Sequence, residues 1–245
     1  MNCVNKHMMA AVGLAALLVL PSLAFAQSLG SAEMFAVLAG STVTDTGSST
    51  IVGSVGVSPG TAITGLAVGQ PIGGTLHPGD GVAAQAQSDL TTAYNSLAGM
   101  ACGTNLTGQD LGGMTLAPGV YCFNTSAQVT GTLTLDGQGD INAVFVIQIG
   151  STLTTGTGAA VDLINGAIPQ HVYWQVGSSA TLGSDTVFAG NIVALESISL
   201  TSGSFLIGRA LARNGAVTMD ANGIVGGTFT PVRATSWGMV KALYR

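Results

Sequence analysis

The chain of 245 residues carries 36 Gly and is 47% hydrophobic, yet only 7% charged and 5% aromatic, with a formal net charge of −5. So little charge excludes a disordered polyelectrolyte, and six Lys and Arg in all leave no basic footprint for a nucleic acid. Gly and the β-branched residues are poor helix formers, which excludes a helical bundle and leaves a Gly-punctuated, Thr-rich β protein of one domain.

Residues 1–26 read as a secretion signal. Lys6 supplies a short positive region, residues 8–20 form an apolar run, Pro21 breaks it, and Ala24-Phe25-Ala26 is a cleavage site. The run is too short to span a bilayer. The expected location is secreted, extracellular, or at the periplasm or cell surface. Removing the leader leaves five basic and eleven acidic residues, five minus eleven or −6, which argues against an anionic membrane as partner.

Residues 82–98 are the one long helix candidate. Ala83, Ala86, Leu90, Ala93 and Leu97 recur at spacings of three and four, Asp80 can cap the start, and Gly99 can end it. The leader takes Cys3 with it and leaves Cys102 and Cys122, an even pair that reads as one disulfide in an exported chain. Closing a loop of about twenty residues stabilises by roughly 3 kcal/mol. Neither cysteine has a Cys or His neighbour at metal-ligand spacing, so no metal and no cofactor is expected.

The second half holds an imperfect repeat: Leu133-Thr134-Leu135, Leu153-Thr154-Thr155, Ala180-Thr181-Leu182, Ile198-Ser199-Leu200 and Val217-Thr218-Met219. Such a period marks a solenoid, whose coils each bury an apolar side against their neighbours. Alternation turns the flanking apolar residues inward and the central hydroxyl outward. Thr132, Thr152, Ser179 and Ser197 then form a parallel column, and Thr201, Asp136 and Asp220 stand in a third with Gly156 and Gly183. The segments 143–149, 172–176 and 191–195 are apolar on both sides and must be covered on both, with the helix along one face. The domain is expected over 27–229. The tail 230–245 interleaves Arg233, Lys241 and Arg245 with Trp237, Val240, Leu243 and Tyr244, and reads as a capping tail or a short amphipathic docking segment.

Catalysis has little to stand on. Most acids fall at turns, where Asp bonds to local backbone, and His77 and His171 are isolated. Asp136 and Asp220 would have to meet in one column to act as a carboxylate pair.

Several ordered motifs run along the chain: Leu29-Gly30-Ser31-Ala32, Phe35-Ala36-Val37-Leu38-Ala39-Gly40, Gly53-Ser54-Val55-Gly56-Val57-Ser58-Pro59-Gly60, Leu111-Gly112-Gly113-Met114-Thr115-Leu116-Ala117-Pro118-Gly119-Val120-Tyr121 and Val172-Tyr173-Trp174-Gln175-Val176-Gly177. Ala93-Tyr94-Asn95, Gly208-Arg209-Ala210-Leu211-Ala212 and Ala216-Val217-Thr218-Met219-Asp220 complete a set covering about residues 29–225. Together they resemble the microbial ice-binding-protein-like family of antifreeze-type β-solenoids. The resemblance implies a right-handed, roughly triangular β-helix, mainly β, with one long helix alongside. It also implies that a coil from residues 41–57 stacks beside the C-terminal ones, with Thr42, Thr44 and Thr46 next to Thr218 and Asp220. In that family a flat face rich in Thr, Ser and small residues meets the ice crystal, so an ice surface is the implied partner and a monomer the expected form. The alternative is an extracellular surface or matrix adhesion module.

Overall fold

The computed structural model describes residues 27–226. The leader and the tail read from the sequence lie outside them. The described chain winds into a parallel β-helix of three sides, and every strand pairing in it is parallel.

Face A stacks Gly119–Phe123, Phe145–Ile149, Val172–Val176, the second halves of Val187–Ala194 and Phe205–Ala212, then Phe35–Ala39, Ser54–Val57 and Leu76–Pro78. The inner strands Phe35–Ala39, Phe145–Ile149 and Val172–Val176 are buried on both sides, as their unbroken apolar runs require. Inward they pack Phe145, Ile147 and Trp174 in the solenoid core, where the Trp174 indole donates to the Ala189 carbonyl at 3.0 Å. Outward the face presents Val146, Tyr173, Val193, Leu211, Phe35 and Leu38 to a helix at Gly81–Ala98. That helix buries Ala83, Ala86, Leu90, Ala93 and Leu97, the stripe that the spacing predicts, and Tyr94 besides. The Asp80 carboxylate caps its start by accepting from the Ala83 N–H, and Gly99 ends it. The Arg213 guanidinium lies 4.7 Å over the Tyr94 ring, tying the helix to the last coil.

Faces B and C complete each coil. Face B is a seven-stranded sheet: Ala127–Val129, Leu153–Thr155, Ala180–Leu182, Ile198–Leu200, Val217–Met219, Thr42–Asp45 and Ala62–Thr64. Face C holds Thr115–Leu116, Thr132–Asp136, Ala160–Ile164, the first halves of the two long strands, Gly223–Val225 and Thr50–Val52. Where the long strands turn from C to A, Gly190 and Gly208 pair with positive φ. A Cβ on Gly208 would stand 1.9 Å from the Gly190 oxygen, so this corner admits no side chain.

The stacking order departs from the chain order. The first two coils sit beyond the last, because Phe35–Ala39 pairs with Phe205–Ala212 on one side and Ser54–Val57 on the other. Buried Arg209 holds this closure, donating to the Glu33 carbonyl at 3.0 and 3.1 Å and to the Asn191 side chain at 2.7 Å. Burial pushes its guanidinium below the ordinary value, against the raising effect of Glu33. At the other end of the stack Cys102 and Cys122 form the disulfide that the cysteine count predicts.

Candidate functional site

Face B supplies the most regular outward surface. Ala127–Val129, Ala180–Leu182, Ile198–Leu200 and Val217–Met219 each turn two apolar side chains in and one side chain out. The outward residues pair rung to rung as Gln128, Thr154, Thr181, Ser199, Thr218, Thr44 and Thr64. Six of the seven carry hydroxyls, and all seven are exposed or partly so. At about 4.8 Å per rung the column runs roughly 29 Å.

The flanking columns differ in what their hydroxyls do. On one flank, Thr152, Ser179, Ser197 and Ala216 follow one another along the backbone ladder, and Thr42 pairs with Ala62. Here Ser179 Oγ accepts from the Ser197 N–H and Ser197 Oγ from the Ala216 N–H, so both are tied to the next coil. On the other flank, Thr201 donates to the Leu182 carbonyl at 2.7 Å and Thr46 to the Met219 carbonyl at 3.1 Å. Gly183 keeps this flank low, since a Cβ there would stand 2.6 Å from the Thr155 oxygen. Asp220 is an outward charge on this flank, and Asp110, bridged to Gln128 at the next rung, is another on face B.

The central column is the less committed one. Thr218 donates to Ser199 at 3.1 Å and Thr64 to Thr44 at 3.5 Å. The Thr154 and Thr181 hydroxyls have no hydrogen-bond partner among the described residues and face outward, free to bind water. β-branching holds each Thr near one rotamer, which keeps methyl and hydroxyl at fixed heights.

Two sequence expectations need correction. Thr132 and Thr134 belong to face C, where Thr132–Asp136 pairs with Thr115–Leu116 and Ala160–Ile164. Gln128 takes the rung below Thr154 instead. The reason is unequal coil length: Gln128 to Thr154 and Thr154 to Thr181 span 26 and 27 residues, whereas Thr181 to Ser199 and Ser199 to Thr218 span 18 and 19. A reading that assumes near-equal coils sets Thr134 one side out of place. Asp136 moves with it, accepting from Asn165 and from the Gln138 N–H, so it does not share a column with Asp220. Thr64, by contrast, escapes the sequence reading. Its signal was the same alternation in Ala62-Ile63-Thr64, twenty residues after Thr44.

Outside face B, His77 makes structural contacts. Its ring contacts the Asp80 carboxylate and the Thr75 hydroxyl, both at 2.7 Å, and meets Phe35 edge-on. This cluster serves the helix cap. Among the described residues no three His, Cys, Asp or Glu side chains gather as metal ligands would, and no helix is long and apolar enough to cross a membrane.

Comparison with known proteins agrees with this architecture. A protein from Nostoc sp. (strain HG1) named "Ice-binding protein" is 56% identical over 203 residues, covering 82% of this chain and 75% of its own. The crystal structure of an ice binding protein from an Antarctic biological consortium superposes with a TM-score of 0.77 at 50% identity, over 81% of this chain and 90% of that one. The ice-binding protein of the Antarctic ascomycete Antarctomyces psychrotrophicus superposes with a TM-score of 0.78 at 36% identity, over 83% and 99%. The model of the family described as ice-binding-like matches residues 37–225, all three sides of the solenoid included, and this chain belongs to that family.

Proposed function

We propose that this protein is secreted and adsorbs as a monomer to ice through face B, without catalysing a reaction. The observation that carries the reading is the central column of six Thr and Ser hydroxyls with uncommitted Thr154 and Thr181 in its middle. Rungs stand ~4.7–4.9 Å apart, and alternate residues along a strand about 6.6 Å apart, both close to repeats on ice planes. Water held at each hydroxyl and excluded at each methyl can therefore join the lattice with little rearrangement. Little side-chain entropy is lost on contact, because the rotamers are already fixed. The near-absence of outward charge favours the match, since an ion orders water around itself. The relatives bear ice-binding names, and the leader-like residues 1–26 support export.

The test is direct. A single ice crystal held just below melting in purified protein should stop growing and develop facets at micromolar concentration. Growth unaffected at high concentration would overturn the reading in favour of an adhesion module.

A further inference from the structure

The outward column crosses a break in the chain. Thr218 belongs to the last coil in sequence, whereas Thr44 and Thr64 belong to the first two. Non-covalent contacts alone set their register, and a slip of one residue along the strand would turn Thr44 inward.

Behind this break the core becomes polar. In face C, Val187, Phe205, Gly223 and Thr50 pair in that order. One position ahead of each stand Thr186, Ser204, Asn222 and Ser49, all buried at the corner between B and C. Asn222 joins three coils. Its side-chain amide donates to the Thr201 carbonyl and to Ser204 Oγ, both at 2.8 Å, and its Oδ1 accepts from the Asp220 N–H at 2.6 Å. Its backbone N–H donates to Ser49 Oγ at 2.9 Å, across a separation of 173 residues. Ser49 passes the connection on: its hydroxyl and its N–H each donate to the Asp45 carboxylate at 2.7 Å. Asp45 is buried on the strand that carries Thr44. Apolar side chains would pack nearly as well at several registers. The Ser49 hydroxyl, aimed by the Asp45 carboxylate, meets the Asn222 N–H at only one, and at any other that buried N–H and its acceptor lose each other.

We propose that Asn222, Ser49 and Asp45 act as a register lock, positioning residues that hold the first two coils so that Thr44 and Thr64 prolong the ice-contacting column past Thr218. The inference rests on face B being the ice-contacting surface. Ser49→Ala tests it, because it removes the acceptor of the Asn222 N–H, with Leu133→Ala as control, a fully buried residue on the far coils opposite Val161. Amide hydrogen exchange at 4 °C should rise at least tenfold over residues 42–64 in Ser49→Ala and stay unchanged over 145–149. Leu133→Ala should lower the melting temperature yet leave 42–64 as in the parent. Ice-growth arrest just below melting, where circular dichroism matches the parent, should fall twofold or more in Ser49→Ala and not in Leu133→Ala. Asn222→Ala, which removes the side-chain bonds that hold that N–H in place, should show the same local pattern if Ser49→Ala fails to fold. Exchange that rises uniformly along the chain, or not at all over 42–64, overturns the lock. A parent that never arrests ice overturns the reading of face B instead, and the exchange pattern still decides whether the coils are locked.

Discussion

Faces B and C are wound from the same coils and share the same inward alternation, yet they offer water different surfaces. Down face C the outward position reads Thr132, Ala160, Val187, Phe205, Gly223, Thr50, and the next includes Thr115, Thr134 and Asp162. The Phe205 ring lies over Gly223, where an added Cβ would meet it at 2.3 Å, so the heights along that column rise and fall. Down face B nearly every rung is Thr or Ser at one height. Inward residues build the solenoid and are alike on both sides. Outward residues contribute little to folding, so they are free to differ, and only one side has been made uniform.

The contrast can be broken most sharply at Thr181. Thr181→Tyr lifts a ring above the middle of face B, and ice-growth arrest should fall at least tenfold. Thr181 is exposed, so thermal unfolding should shift by no more than about 0.5 kcal/mol. If the variant shapes ice as the parent does, face B is not the contact surface.

Reducing the Cys102–Cys122 disulfide separates stability from the face. The bridge lies at the end of the stack beyond Gln128, away from Thr154 and Thr181. Loss of the cross-link should cost roughly 3 kcal/mol, seen as a lower melting temperature in reductant. Ice arrest just below melting should survive while the protein remains folded; its complete loss with intact circular dichroism would contradict that separation.

Acid sharpens the same distinction. Asp89 is held below its ordinary value by the Ser31 hydroxyl and N–H, at 2.7 and 2.8 Å, and by Gln85. Asp80 is lowered by the Ala83 N–H and by His77. A carboxylate with a lower value folded than unfolded stabilises above its unfolded value, about 3.9, and ceases to as pH falls through its folded value. The melting temperature should therefore be level from pH 8 to 5 with respect to these groups and drop below about pH 4. Both carboxylates flank the helix, so ice arrest by still-folded protein should not follow them. A fall in melting temperature already between pH 7 and 5 would show that these groups do not govern acid stability.

The smallest effects belong to face C. Thr134→Tyr and Asp162→Ala should each leave ice arrest within twofold of the parent. A tenfold loss from Thr134→Tyr would restore it to the contact surface and dissolve the difference between the two faces.

What could be read from the sequence follows from how local each signal is. The helix has its stripe, cap and stop within twenty residues, and the covered strands announce themselves as unbroken apolar runs. The cysteines need only to be counted once a leader is recognised. The side on which a repeat copy lies is a different matter. Leu133-Thr134-Leu135 and Leu153-Thr154-Thr155 alternate in the same way because every side has one inward row, and coils of 18 to 27 residues give no ruler to tell the sides apart. The bond from Asn222 to Ser49 is farther out of reach, since nothing within either segment hints at a partner 173 residues away.

The stacking of the first coil upon the last has a kinetic consequence. Most solenoids can grow from any coil, adding neighbours in sequence order. Here Phe35–Ala39 gains one of its two sheet partners only when Phe205–Ala212 is present, and Thr42–Asp45 waits likewise for Val217–Met219. Closing a loop that long before any contact rewards it slows folding, as in other chains dominated by distant pairings. The chain therefore stays unfinished until nearly all of it has left the ribosome. Such a delay makes the final coil the step that sets when the whole molecule becomes rigid.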